Sequence, residues 1–117
     1  MKAAQAVLAR GGSALDAIEA GIRVVEADKT VVTVGRGGAP DLLGVVSCDA
    51  AVMDGATGWA GAVGNLRGFL HAVSVARQVM ERLPHVLMVS EDPRGTLPIF
   101  PSDVKVRHDK MVTFTER

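Results

Sequence analysis

Apolar positions recur at helical spacing at the start of the chain. Ala3, Ala4, Val7 and Leu8 predict a short helix that Gly11 and Gly12 stop. Ser13 opens a second helix, because Ser13-x-x-Asp16 has the spacing of a capping box, with Asp in place of the commoner Glu. Leu15, Ile18, Ile22 and Val25 form its apolar stripe, widened by Ala14, Ala17 and Gly21. Glu19, Arg23 and Glu26 are expected on the opposite, polar face. So many small residues suit close packing on a flat partner such as a sheet.

The pattern then changes period. Thr30 to Val34 is β-branched and predicts a strand or extended segment. Gly35-Arg36-Gly37-Gly38-Ala39-Pro40-Asp41 reads as a loop. Val45 to Met53 predicts a strand buried on much of both faces, and Trp59 to Gly64 a second one. Asp54-Gly55 between them makes a hairpin with a loop longer than two residues, and Gly64-Asn65 is expected to turn the chain again. Ala72, Val75, Ala76, Val79, Met80 and Leu83 give a third helical stripe, ended by Pro84, and His85 to Val89 a short strand. The expected order is α-α-β-β-β-α-β. Pro93, Gly95, Pro98 and Pro101 then break the pattern, so residues 1–92 read as the structured portion and 93–117 as a divergent tail or linker with at most one weak strand. No internal repeat is visible.

Composition narrows the class. A chain of 117 residues holds one domain, and 48% apolar with 22% charged residues is a globular balance. Lys+Arg and Asp+Glu are equal at 13 each, which argues against a nucleic-acid partner. No run reaches the roughly 20 apolar residues of a membrane helix, and the N-terminus reads as a helix without the apolar core of a signal peptide. Cys48 stands alone, which excludes an internal disulfide, and its apolar neighbours make it a small core residue.

Candidate chemistry is sparse. Gly35-x-Gly37-Gly38 lacks the spacing and the Lys-Ser/Thr pair of a phosphate loop. His71, His85 and His108 have no partner at metal-ligand spacing, and His71 is expected on the polar side of its helix; no metal or other cofactor is expected. Among Asp41, Asp49 and Asp54, the last is a turn former. Asp49 interrupts an apolar strand and is best read as a hydrogen-bond anchor. No G-x-S-x-G elbow presents a serine.

Taken in order, several segments carry a more specific signal. Gly11-Gly12-Ser13-Ala14-Leu15-Asp16-Ala17-Ile18-Glu19-Ala20-Gly21 resembles the first long helix of the asparaginase-type N-terminal nucleophile hydrolases. Val34 to Asp41, with Asp49-Ala50-Ala51-Val52-Met53-Asp54-Gly55, resembles the glycosylasparaginase branch. Gly61 to Arg67, Val75 to Glu81 and Pro84 to Glu91 follow in the family's order, so the resemblance covers residues 3–91.

The resemblance implies an α/β (α+β) chain, part of a four-layer αββα sandwich. It implies a family precursor that cleaves itself into α and β chains. The new N-terminal threonine attacks the side-chain amide of asparagine, with its own α-amine as base; the amine titrates near neutrality, so one residue supplies both groups. Family substrates are N-glycosylated asparagine, or asparagine and β-aspartyl peptides, and the implied partner is the β subunit or the second half of the fold. Family members are lysosomal, periplasmic or cytoplasmic.

Few family positions carry over. Thr33 falls where the family sets a small polar residue against the nucleophile, and it reads equally well as a plain β-branched strand residue. Arg36 matches the Gly-Arg-Gly form of the plant-type asparaginase branch. His108-Asp109 resembles the His-Asp-Thr cleavage junction, but Lys110 stands in the nucleophile's place. Lysine has no hydroxyl for the acyl shift that drives self-cleavage, so the resemblance implies an α-subunit-like chain inactive alone. Thr113 and Thr115 are poor substitutes. The rival expectation is a non-catalytic relic or interaction protein whose uncovered sheet drives pairing.

Overall fold

The structure, a computed structural model, describes residues 1–89. The division at residues 92 and 93, and the candidates His108, Asp109, Lys110, Thr113 and Thr115, lie outside the described residues. Three helices, α1 (Lys2–Ala9), α2 (Ala14–Ala27) and α3 (Ala72–Arg82), accompany three strands, β1 (Ser47–Met53), β2 (Ala60–Arg67) and β3 (Leu87–Val89). The fold is α+β with one mixed sheet in the order β1-β2-β3; β1 and β2 are antiparallel, β2 and β3 parallel.

The capping box at Ser13 is present in both directions. Asp16 N–H donates to Ser13 Oγ at 3.1 Å, and Ser13 N–H donates to Asp16 Oδ2 at 3.2 Å. Two of the orphan N–H groups at the helix start are thereby satisfied. The Ser13 hydroxyl also donates to Asp16 Oδ2 at 2.7 Å, and this bond, the Arg77 guanidinium and the Ser13 N–H together hold the Asp16 carboxyl below its usual range.

The orientation of α2 differs from expectation. Glu19 and Glu26, placed on the solvated face, turn toward α3. Glu19 accepts from Ser74 Oγ and from Arg77 Nη1 at 2.8 Å, and Glu26 is buried at 4% exposure. The predicted stripe instead lies largely open, with Ile18 49% and Val25 43% exposed. The reason is that α2 packs on helices. Ala17 is buried, Gly21 faces Ala4 of α1, and the carboxylates meet donors on α3.

The extended segment expected at Thr30–Val34 does not join the sheet. Its backbone is committed to turns: Thr30 N–H donates to Asp28 Oδ1 at 2.8 Å, Val31 N–H to the Asp28 carbonyl, and Ala39 N–H to the Val32 carbonyl. Gly37 lies against the Lys29 and Val31 carbonyls, where a ladder partner would have to sit.

Nor is β1 covered on both faces. Cys48, Ala50 and Val52 point toward α3, whereas Ser47, Asp49, Ala51 and Met53 are exposed. In β2, Gly61, Val63 and Leu66 face inward, so the period of two slips once. The slip is a bulge. Cys48 pairs with Leu66 but Ala50 pairs with Val63, which sets Gly64 and Asn65 opposite Asp49. Where a turn was expected at Gly64-Asn65, the strand continues through it, with Asn65 at φ 52°. Asp49 supplies the reason: its Oδ1 accepts the Asn65 N–H at 2.7 Å, satisfying a donor beside the slip. The anchor role expected of Asp49 holds, but the residue is exposed rather than buried.

Helix α3 covers the inner sheet face. Val73, Val75, Ala76 and Val79 are essentially fully buried, joined by Val52, Val63, Leu66 and Phe69. Each of the larger side chains among them contributes about 1.5–3 kcal/mol of apolar burial. Gly61 allows this approach, since a Cβ there would run into the backbone of Ala76 and Met80.

Candidate functional site

Val34 leads into one 3₁₀ turn, Gly35–Gly37. Gly35 has φ 62°, a left-handed value that disfavours a side chain, and it sits directly on the Glu26 backbone at the end of α2. Gly38 N–H donates to the Gly35 carbonyl at 3.1 Å. Downstream, Asp41 fixes the next turn by accepting from Leu43 N–H at 2.8 Å and Val45 N–H at 2.9 Å, which lowers its pKa. The glycines are structural, as expected, and the loop is clamped at both ends.

Thr33 and Arg36 ride on this loop, and both side chains are exposed. Arg36 borders a cavity of about 230 Å³, lined by Gly35 and Arg36 on one side and by Cys48, Leu66, Gly68 and Phe69 on the other; Thr33 is not among its lining residues. The floor is apolar and the guanidinium of Arg36 gives its rim a positive charge. Such a recess can orient an anionic or amide-bearing group but contains no nucleophile–base pair of its own. Cys48 is half-buried against the core.

A second constellation was hidden from sequence reasoning. His71, expected on a polar helix face, is buried at 7% exposure at the N-cap of α3. Its Nδ1 lies 3.3 Å from Glu26 Oε2, and Glu26 Oε1 accepts the Val73 N–H at 3.0 Å. No local side chain caps α3, so a carboxylate from α2 takes that part. Burial pushes the Glu26 carboxyl up against the partial relief of the Val73 and Ala72 N–H groups. Burial likewise pushes His71 down, helped by Arg23 and opposed by Glu19. The available signal was a helix start with no Ser, Thr, Asp or Asn to cap it.

Next to it, Arg77 bonds Asp16 and Glu81 at 2.7 Å and Glu19 at 2.8 Å. Burial opposes its charge, but the three carboxylates outweigh that and raise its pKa. His85 lies apart, in an open groove with Trp59, Met80 and Pro84. Asp54 is the turn former expected, accepting from Ala56 N–H at 3.2 Å and Thr57 Oγ1 at 2.8 Å. Among the described residues no group of three His, Cys, Asp or Glu could hold a metal ion, and no helix is long and apolar enough to cross a membrane.

A glycine loop clamped between a capped helix and a bulged hairpin thus frames the site, and its sequence is that of a known family. The asparaginase family model matches residues 1–95, and the chain belongs to that family of hydrolases. It is 46% identical over 90 residues to the N(4)-(beta-N-acetylglucosaminyl)-L-asparaginase of Rattus norvegicus, covering 77% of this chain and 26% of the relative. It is 47% identical over 85 residues to the enzyme of that name from Elizabethkingia miricola, covering 73% of this chain and 25% of the relative. A plant-type L-asparaginase of Pyrococcus horikoshii is 48% identical over 82 residues, covering 70% and 27%. The chain therefore spans about a quarter of the length of the curated relatives it matches.

Proposed function

We propose that this chain is the α-subunit-like portion of a glycosylasparaginase-type amidohydrolase, acting on the side-chain amide of asparagine in N-linked glycoprotein breakdown, and that it is inactive alone. The observation that carries the reading is the clamped loop from Gly35 to Gly38, which sets Arg36 at the lip of a recess and follows directly on the exposed Thr33. In that reading Thr33 supports a threonine nucleophile contributed by a β subunit, the partner that completes the pocket. Lys110 after His108-Asp109 supports the claim of inactivity, because it offers no hydroxyl for cleavage or attack.

Two assays test this. The purified chain should release no aspartate from glycosylated asparagine; release refutes inactivity. Co-produced with the threonine-led chain of a glycosylasparaginase relative, it should hydrolyse glycosylated asparagine, and Thr33→Ala should lower kcat. Failure to associate with that chain at all refutes the subunit reading.

A second reading is favoured by Gly35-Arg36-Gly37, the form resembling plant-type asparaginases. Under it the complex prefers free asparagine or β-aspartyl peptides. A third, a non-catalytic interaction protein, draws on the exposed Leu87, Val89 and Met53 of the sheet's outer face.

A further inference from the structure

Glu26 and His71 are the two most deeply buried titratable side chains among the described residues, and the reading above uses neither. They join different walls of one cleft. Glu26 belongs to the last turn of α2, whose backbone Gly35 touches. His71 follows Gly68 and Phe69, which line the cavity facing Gly35 and Arg36. The 3.3 Å contact between Glu26 Oε2 and His71 Nδ1 therefore ties together the two surfaces that hold the loop.

We propose that the Glu26–His71 pair is a proton-operated latch on the Gly35–Gly38 loop, closed at neutral pH and opened by acid. With Glu26 ionised and His71 neutral, Nδ1–H donates to the carboxylate and the Val73 N–H fills its other oxygen. One added proton is accommodated: a Glu26 hydroxyl can donate to a bare Nδ1, with the histidine proton moved to Nε2. A second added proton makes one Glu26 oxygen a hydroxyl donor while His71 Nδ1–H and the Val73 N–H each still need an acceptor, so the hydroxyl on either oxygen meets a donor and one of the two bonds is weakened. The joint then opens and α3 loses part of the cap that Glu26 gives it.

The charged groups facing the pair leave the titration to it. On α2 these are Glu19 and Arg23, and on α3 Arg77, which Asp16, Glu19 and Glu81 neutralise. Arg36 on the loop is exposed. Thr33 and Arg36 move with the loop, so the latch would set the geometry of the candidate site whichever substrate the family reading yields.

The test needs no turnover, so its failure is separable from failure of the amidohydrolase reading. In the full chain, the His71 ring nitrogens and the amide exchange of Gly35, Arg36 and Gly38 are followed by NMR from about pH 7.5 to about pH 4.5. The expected result at neutral pH is an Nδ1–H tautomer. As His71 takes up its proton, protection of the Gly38 amide should fall about tenfold, the worth of one hydrogen bond to a charged group. In His71→Asn, which bonds without titrating, that acid step should vanish. Loop exchange indifferent to His71 protonation, or an unchanged step in His71→Asn, overturns the proposal.

Discussion

Substituting Gly61→Ala tests the central packing of the structure. The added methyl would lie 2.5 Å from the Met80 nitrogen and 2.7 Å from its Cβ, with the Ala76 carbonyl closer still. The nitrogen and the carbonyl are backbone atoms of α3 and the Cβ is fixed to that backbone, so no side-chain rotation relieves the contact. Restoring van der Waals contact requires the helix to lift from β2 by about 1 Å, and a gap of that size forfeits a quarter to a half of the dispersion energy across it. The helix presses Val75, Ala76, Val79 and Met80 into the core. If Val75, Val79 and Met80 contribute about 1.5–3 kcal/mol each, the loss is about 1–4 kcal/mol, within the range of overpacked cores. Urea unfolding followed by circular dichroism should show a midpoint lowered accordingly, at unchanged slope. Gly55→Ala is the control, since a Cβ there meets nothing within 4 Å. A Gly61→Ala chain within about 0.5 kcal/mol of the parent, the ordinary surface scatter, would refute the packing of α3 on β2.

Other consequences can be measured on the same chain. Ser13→Ala removes the Oγ that accepts from Asp16 N–H and should cost about 1 kcal/mol in urea unfolding, with Ser13→Asn restoring most of it. Asp49→Ala leaves the Asn65 N–H without its carboxylate, and amide exchange should accelerate there first, ahead of Val63 and Leu66. The buried pair predicts stability slopes of opposite sign. In His71→Asn only Glu26 remains; its raised pKa makes stability greatest below its ordinary value of 4.5 and lost as pH rises through the folded value. In Glu26→Gln only His71 remains; its lowered pKa makes stability present above 6.5 and lost as pH falls through the folded value. Equal slopes in the two variants would show that Glu26 and His71 are not the titrating groups.

Local physics settled much of this protein from the sequence. Helix starts and stops were legible because capping and glycine act within a few residues: Ser13 with Asp16 opened α2, and Gly11 preceded it. The hairpin was legible because Asp54 and Gly55 make their own turn. The ordered segments from Gly11 to Glu91 also disclosed the family, whose model covers residues 1–95. Periodicity gave the stripe on α2 but not its destination. An amphipathic pattern states which face is apolar; whether that face is covered depends on which element arrives. Here α3 brought Ser74, His71 and Arg77 to the acidic side, so Glu19 and Glu26 turned inward and Ile18 stayed out.

Long-range pairing was likewise decided only by the tertiary structure. Thr30–Val34 has strand composition, yet a strand exists only where a neighbour offers a ladder, and Gly37 occupies that space. Asp49 looked misplaced in an apolar run until the bulge placed the Asn65 N–H opposite it. Glu26 and His71 stand 45 residues apart in sequence and meet because two helix ends close on one loop. Capping, turns and hydrophobic period are properties of neighbouring residues and are written in the chain. Burial, register and the partner of a buried charge are properties of distant ones, and they exist only once the chain has folded.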